Sequence, residues 1–312
     1  MKIFRTLKQI VVSGLFIITF PQFASAQSDT VSFVHITDTH LIFGLDRYHP
    51  DIVRLRKHYG NGIGALEKML DSLSTSKNTR FAAITGDMID FKGAATVSGG
   101  EQSFQIESFA QLINRYSIPV FLNLGNHDLA TYGWDGTRMI SSQRKGALAR
   151  ATWIRSVPAF SEGTYYSRML TAGGRQYRLI FLDNGYNSAG EYEKSVPPYL
   201  ERMQLEWLKE QLNESNEDVE IVLMHIPFGE DIKGSELYDI LSGHPSLKLI
   251  LSGHQHENRV RYLGSQNKLV QVQTGAFARN PHEWREIKLT AKSILVSSPG
   301  TRKQELAISL EP

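Results

Sequence analysis

The chain is 312 residues long, 41% hydrophobic and 21% charged, with 34 basic and 32 acidic residues and no cysteine. That size and composition suit one globular domain with a sizeable core, and the near-even charge balance argues against nucleic acid or an anionic membrane as a partner. The lack of cysteine excludes disulfides, thiolate metal sites, a cysteine nucleophile and a lipid-bearing cysteine, so a metal would have to be held by His, Asp, Glu or Asn.

Residues 1–26 stand apart. Lys2, Arg5 and Lys8 precede an apolar run from Ile10 to Phe20, and "PQFASA" ends with Ala24 and Ala26 in an A-x-A arrangement. This is the three-part layout of a secretory signal peptide cleaved before Gln27, and the apolar run is too short to cross a bilayer comfortably. The expectation is an exported domain over 27–312, periplasmic or extracellular, with no stable membrane insertion after cleavage. The leader holds three of the 34 basic residues and none of the acidic ones, so the remainder carries one net negative charge.

Beyond the leader, short β-rich runs alternate with amphipathic stretches. "VSFVHIT" (31–37), "FAAIT" (81–85) and "PVFLNL" (119–124) read as strands. Residues 62–76 place Ile63, Leu66, Met69, Leu70 and Leu73 at helical spacing, and 101–116 reads as a second helix. Residues 129–163 are irregular, with one helix near 140–150. "TAGG" joins strands 164–170 and 175–183 in a hairpin, and 199–215 is a helix. "VEIVLMH" (219–225) and "LKLILSG" (247–253) are buried strands around a short helix near 234–242. From 258 onward the alternation is that of antiparallel strands, expected to form a second sheet against the first. The pattern is α/β with mixed sheets in a single domain.

The polar residues after the buried runs form five clusters. They are Asp38 and His40 in "TDTH", Asp87 and Asp90 in "GDMID", and Asn126, His127 and Asp128 in "GNHD". His225 stands in "LMHIP", and His254 and His256 in "SGHQH". Each cluster alone has a plain reading as a turn or a strand rim. Five in this order, each behind a β-rich run, point to one crevice at the carboxyl ends of the strands.

"DTH … GDMID … GNHD … H … GHQH" resembles the signature of the calcineurin-like metallophosphoesterases, over residues 31–256. The resemblance implies a four-layer αββα sandwich, two mixed β-sheets flanked by helices, and a pair of metal ions. It assigns Asp38, His40 and His256 to one metal and Asn126, His225 and His254 to the other, with Asp87 bridging both. Imidazoles and carboxylates of this kind suit Mn, Fe, Zn, Ni or Co. His127 would protonate the leaving group, Asp90 would orient His127, and Asp128 would brace a metal-bound imidazole. The implied reaction is attack of a metal-bridging hydroxide on a phosphodiester, phosphomonoester or pyrophosphate. The alternatives are a protein Ser/Thr-type phosphatase and a non-catalytic binding scaffold with the same fold.

Departures narrow the branch. The Ser/Thr phosphatases place an arginine where Phe91 stands and read "GNHE" where this chain has Asp128. Purple acid phosphatases carry a tyrosine at the place of Asp90 and lack His40. The remaining likeness is to the bacterial phosphodiesterase-like branch, with a small-molecule phosphoester as substrate. Recognition is expected from the basic segment 41–62, through Arg54 and Arg56, and from Trp134 and Arg138 in 130–139. The Tyr-rich segment 184–199 is a further candidate. Oligomeric state is not legible.

Overall fold

Along Arg175–Phe181 and Val219–Leu223, alternate residues enter two different apolar clusters. Leu179, Phe181, Ile221 and Leu223 face one core, and Ile180 and Val222 face another. A strand directs successive side chains to opposite faces, so a strand apolar at every position is buried on both. These strands therefore lie inside a layered structure.

The computed structural model describes residues 29–311 except 60–61, 186–197, 215–216, 231, 233 and 265–268. The expected leader and most of the Tyr-rich segment 184–199 lie outside the described residues. From the N-terminus the elements are β1 (Thr30–Ile36), α1 (Pro50–Arg56), α2 (Gly62–Thr75), β2 (Thr79–Thr85), β3 (Gly93–Ala95), β4 (Glu101–Gln102), α3 (Gln105–Ile113) and β5 (Val120–Asn123). Next come β6 (Thr131–Trp134), β7 (Met139–Ser142), α4 (Gly146–Ser156), β8 (Tyr166–Ala172), β9 (Arg175–Phe181) and α5 (Arg202–Asn213). β10 (Val219–Leu223), α6 (Glu236–Gly243), β11 (Leu247–Ser252), β12 (Arg259–Leu263), β13 (Leu269–Gln273), β14 (Trp284–Thr290), β15 (Ser293–Ser297) and β16 (Gln304–Ser309) follow.

Two six-stranded mixed sheets, ordered β16-β15-β14-β1-β2-β5 and β12-β13-β11-β10-β9-β8, pack face to face. The core between them holds Phe33, Phe81, Leu179, Phe181, Ile221 and Leu251. Leu66, Leu70 and Leu73 of α2, at i, i+4 and i+7, and Ile106 and Phe109 of α3 join this cluster from the outside of the first sheet. Leu205, Leu208 and Leu212 of α5 with Leu237 and Leu241 of α6 cover the second sheet. The four layers are those of an αββα sandwich. Each fully buried Leu, Ile or Phe in it contributes roughly 1.5–3 kcal/mol.

Two expectations are corrected. The last strands do not all join the second sheet: β14 pairs antiparallel with β1, from Thr30↔Thr290 to Ile36↔Trp284, and β15 and β16 extend the first sheet. Without β14, the apolar strand β1 would present an open edge. The helix expected over 101–116 is shorter, because Glu101–Gln102 pairs with Gly93–Ala95. That hairpin belongs to a third sheet, β4-β3-β6-β7, whose β6 and β7 lie within the stretch 129–163 that looked irregular. Its own apolar cluster joins Ile42, Tyr48, Ile52, Phe91 and Tyr132. Segment 41–59 is part of this cap. Its helix α1 starts at "HPD": Pro50 occupies the first turn and His49 Nδ1 accepts the Asp51 amide hydrogen.

Candidate metal centre

β1, β2 and β5 run parallel in the first sheet, and β9, β10, β11 and β13 run parallel in the second. Their carboxyl ends open on the same side, and the five clusters follow β1, β2, β5, β10 and β11. The two sheets are joined there by backbone bonds from Phe277 to the Thr37 carbonyl and from Ala278 to the Asp38 carbonyl. Asp38, His40, Asp87, His254 and His256 are the five non-glycine residues with positive φ among those described, at 41–72°. Each such residue costs on the order of 1–3 kcal/mol, and strain of this kind collects at functional sites. The motif glycines allow the close approach: a Cβ at Gly125 would strike Asp87, and one at Gly253 would strike Thr37 and Asp38.

The structure brings all seven expected ligands together. Asp38 Oδ1 lies 3.1 Å from His256 Nε2 and 3.6 Å from His40 Nε2, and those two nitrogens are 3.1 Å apart. Asp87 Oδ2 stands 3.7 Å from His40 Nε2 and 3.2 Å from His225 Nε2, between the two groups. His225 Nε2 is in turn 3.2 Å from Asn126 Oδ1 and 3.3 Å from His254 Nδ1.

The protons decide what this arrangement can hold. His225 Nδ1 lies 2.8 Å from the Thr85 carbonyl, which only accepts, so Nδ1 carries the hydrogen and the Nε2 lone pair points inward. His40 Nδ1 donates likewise to Asp90 Oδ1 at 3.2 Å. Asp38 Oδ1 is buried and accepts no hydrogen bond. With His225 and His40 neutral, their Nε2 lone pairs and Asp38 Oδ1 converge with no hydrogen of their own between them, and divalent cations satisfy such a set. The residues present therefore fit two metal ions.

In the metal-free chain, protons stand in for cations. Burial opposes ionisation of Asp38, but the His256 and His40 imidazoles hold its carboxyl well below the ordinary range. Burial also disfavours a charged His225, yet Asp87 beside it raises the imidazole to about 9. Burial and the His225 charge together lower His254 to about 4.

His127 sits at the mouth, its side chain 20% exposed while His40 is fully buried. Its backbone N–H donates to Asp87 Oδ1 at 2.8 Å. Its Nδ1 lies 2.8 Å from both the Asp90 carbonyl oxygen and the Tyr132 hydroxyl. The carbonyl keeps the hydrogen on Nδ1, and Nε2 faces the centre, 4.0 Å from Asp87 Oδ2. Burial lowers this imidazole, against the pull of Asp87.

Several expected roles change. Asp90 orients His127 through its backbone carbonyl; its carboxylate bonds His40 and is gripped by the Arg56 guanidinium through two nitrogens. Among the described residues, the Asp128 carboxylate meets backbone amides and no imidazole. It accepts the Ile89 amide at 3.1 Å and the Gly125 amide at 2.8 Å, tying two ligand loops together. Burial and the Asp87 charge push its carboxyl up to about 8. Arg56 is not a rim residue: it lies between Tyr59 and Tyr132, its guanidinium carbon 4.8 and 5.5 Å from their ring centroids. Arg54 points outward and pairs with Asp51, and Arg138 pairs with Asp135 in an exposed turn, so neither is brought into the site. Trp134 stacks on His49 with ring centroids 5.0 Å apart.

Tyr59 and Tyr132 were missed from sequence. Tyr59 stacks on His40 at 4.3 Å and its hydroxyl lies 3.4 Å from His256 Nδ1. A tyrosine flanking a basic segment carries no signal for this without the fold.

Comparison with known proteins agrees with this fold. A structure of a dimetal phosphatase from Danio rerio superimposes with a TM-score of 0.61 at 14% identity, covering 90% of this chain and 99% of that one. An uncharacterized protein of Schizosaccharomyces pombe is 25% identical over 242 residues, which is 72% of this chain. The match spans only 37% of the length of that relative. The family model for calcineurin-like phosphoesterase matches residues 31–258, the stretch that carries every ligand loop, and the chain belongs to that family.

Proposed function

We propose that this chain is an exported, dinuclear-metal hydrolase of small phosphoesters: phosphodiesters, phosphomonoesters or pyrophosphates. The observation that carries the reading is the pair of inward-facing donor sets that meet at Asp87 Oδ2, 3.2 Å from His225 Nε2 and 3.7 Å from His40 Nε2. The Danio rerio protein of like fold is a dimetal phosphatase, which is the chemistry this donor set fits. The N-terminal leader supports export.

Asp38, His40 and His256 would hold one ion, Asn126, His225 and His254 the other, and Asp87 would serve both. Bound there, the ions would neutralise charge on the phosphoryl oxygens and acidify a water at neutral pH. The remaining steps belong to the chain. Asn126 presents a neutral amide oxygen, which leaves its site more positive and better suited to an anionic ester. Asp87 holds the His127 backbone at 2.8 Å, and the Asp90 carbonyl fixes the ring with Nε2 inward. As an imidazolium, His127 donates from Nε2 to the departing oxygen and keeps its Nδ1 hydrogen on the carbonyl throughout. Asp128 and the glycines keep the loops close enough for this to work.

The test uses metal-reconstituted protein with bis-p-nitrophenyl phosphate, p-nitrophenyl phosphate and an alkyl phosphate. Turnover should require metal and vanish in Asp87→Asn. His127→Ala should retain two ions while kcat on the alkyl ester falls by about 10²–10⁴, with a smaller loss for p-nitrophenolate. Loss of metal in step with activity would make His127 a ligand instead of the acid. A folded protein holding two ions without turnover on any ester would favour a binding scaffold.

A further inference from the structure

The two halves of the centre are held in place by different parts of the chain. In the Asn126–His225–His254 half, the two imidazoles are supported by the sheets, and Gln143, just after β7, donates to the Asn126 carbonyl at 2.8 Å. His225 Nδ1 donates to the Thr85 carbonyl at 2.8 Å, and the His225 backbone N–H donates to Asn184 Oδ1 at 2.9 Å. The His254 backbone N–H donates to Asp38 Oδ2, also at 2.9 Å. Among the described residues, the contacts of these two imidazoles come from the strand ends of the two sheets and from each other.

The Asp38–His40–His256 half is supported by the cap segment 41–59. The Arg56 guanidinium grips both oxygens of Asp90, whose Oδ1 accepts the His40 Nδ1 hydrogen. Tyr59 lies nearly parallel to the His40 ring, at an interplanar angle of 20°, and its hydroxyl meets His256 Nδ1. The outer nitrogens of both imidazoles therefore end on residues that the cap supplies or clamps. An outer partner of this kind fixes the tautomer and orientation of a ligand imidazole and makes it more basic. A guanidinium fork on a buried carboxylate adds direction as well as charge. His40, Asp90 and His127 also bring potential ligand atoms within 4.8 Å of one another. Arg56 occupies the Asp90 oxygens and so keeps that carboxylate a brace.

We infer that Arg56 and Tyr59 are positioning residues for the Asp38–His40–His256 site alone, so that segment 41–59 sets the affinity of one metal independently of the other. The inference rests on the two-metal reading above.

The test is calorimetric titration of metal-stripped protein with Mn²⁺, with bound ions counted after gel filtration. The wild type should take up two. Arg56→Met should weaken one site by about 10- to 100-fold and leave the other unchanged, and Arg56→Lys should recover part of the loss. Tyr59→Phe, which keeps the stacked ring, should weaken the same site by less. In a His40→Ala background, which removes that site, adding Arg56→Met should leave the remaining affinity untouched. Melting of the metal-free variants checks folding, and Tyr59→Phe carries the test if Arg56→Met does not fold. Equal loss at both sites, or unchanged affinity in Arg56→Met and Tyr59→Phe, overturns the inference. A wild type that binds two ions and hydrolyses no ester removes the proposed activity and leaves this inference standing. A wild type that binds no pair removes both.

Discussion

His35 shows what the interior demands of a single residue. It is fully buried on β1, three positions before Asp38, with Nε2 2.8 Å from Thr85 Oγ1 and Nδ1 3.0 Å from Thr274 Oγ1. Burial and the Arg285 charge lower its imidazole to about 3, against the opposing pull of Asp38. The unfolded chain binds this proton near pH 6.5 and the folded chain does not. The resulting stability is fully present above pH 6.5 and is lost as pH falls toward 3. A shift of that size is worth roughly 4 to 5 kcal/mol. His35→Gln should flatten the dependence of urea stability on pH between 6.5 and 4, and an unchanged slope would refute the assignment. The seven candidate ligands were legible because each stands in a motif that follows a β-rich run. What their neighbours do was not. Asp90 meets His127 through its backbone carbonyl, and its carboxylate pairs with Arg56, 34 positions earlier. Nothing local to "GDMID" announces an arginine arriving from another segment.

Elements deliver these residues to one another. The 3₁₀ turn His127–Leu129 follows β5 and is fastened from α4, where Trp153 Nε1 donates to the Asp128 carbonyl at 3.1 Å. Trp153 is fully buried and packs edge-on against Phe109 and Phe160. Trp153→Phe keeps most of the apolar contact and leaves that carbonyl without its donor, at a cost of about 1 to 3 kcal/mol. Urea denaturation should register the loss, and kcat should fall more than KM rises because the turn positions His127. Full activity with wild-type stability would mean that α4 does not hold the turn. At this scale the β1, β2, β5, β10 and β11 strands and the α2 and α5 helices were legible from period. The hairpin through Gly173 and Gly174 was legible from its glycine pair, both at positive φ. β6 and β7 were not, because four-residue strands with half-exposed faces have almost no period to read. Nor was the return of β14 to β1, since strand pairing across some 250 residues leaves no local trace.

Across the whole molecule, the centre is where the two sheets converge, so ions bound there would be coupled to the fold. Four buried carboxylates, those of Asp38, Asp87, Asp90 and Asp128, and five residues at positive φ converge there. Ions that bind only the folded state stabilise it by about 2.7 kcal/mol per site at a hundredfold excess over Kd. Chelation should therefore lower Tm by about 5 to 10 °C per site in scanning calorimetry, given the usual sensitivity of a domain this size. An unchanged Tm would mean that the donors gain nothing from a cation. Among the described residues no helix is long and apolar enough to cross a membrane. If the leader directs export, the exported protein should begin at Gln27 on N-terminal sequencing, and a chain retaining Met1 would contradict cleavage.

The most direct test of the central claim is anomalous scattering from crystals loaded with Mn²⁺. The account predicts two peaks about 3.5–4 Å apart, one on each side of Asp87 Oδ2, one beside Asp38, His40 and His256 and the other beside Asn126, His225 and His254. A single peak, or a peak seated among His40, Asp90 and His127, would contradict it.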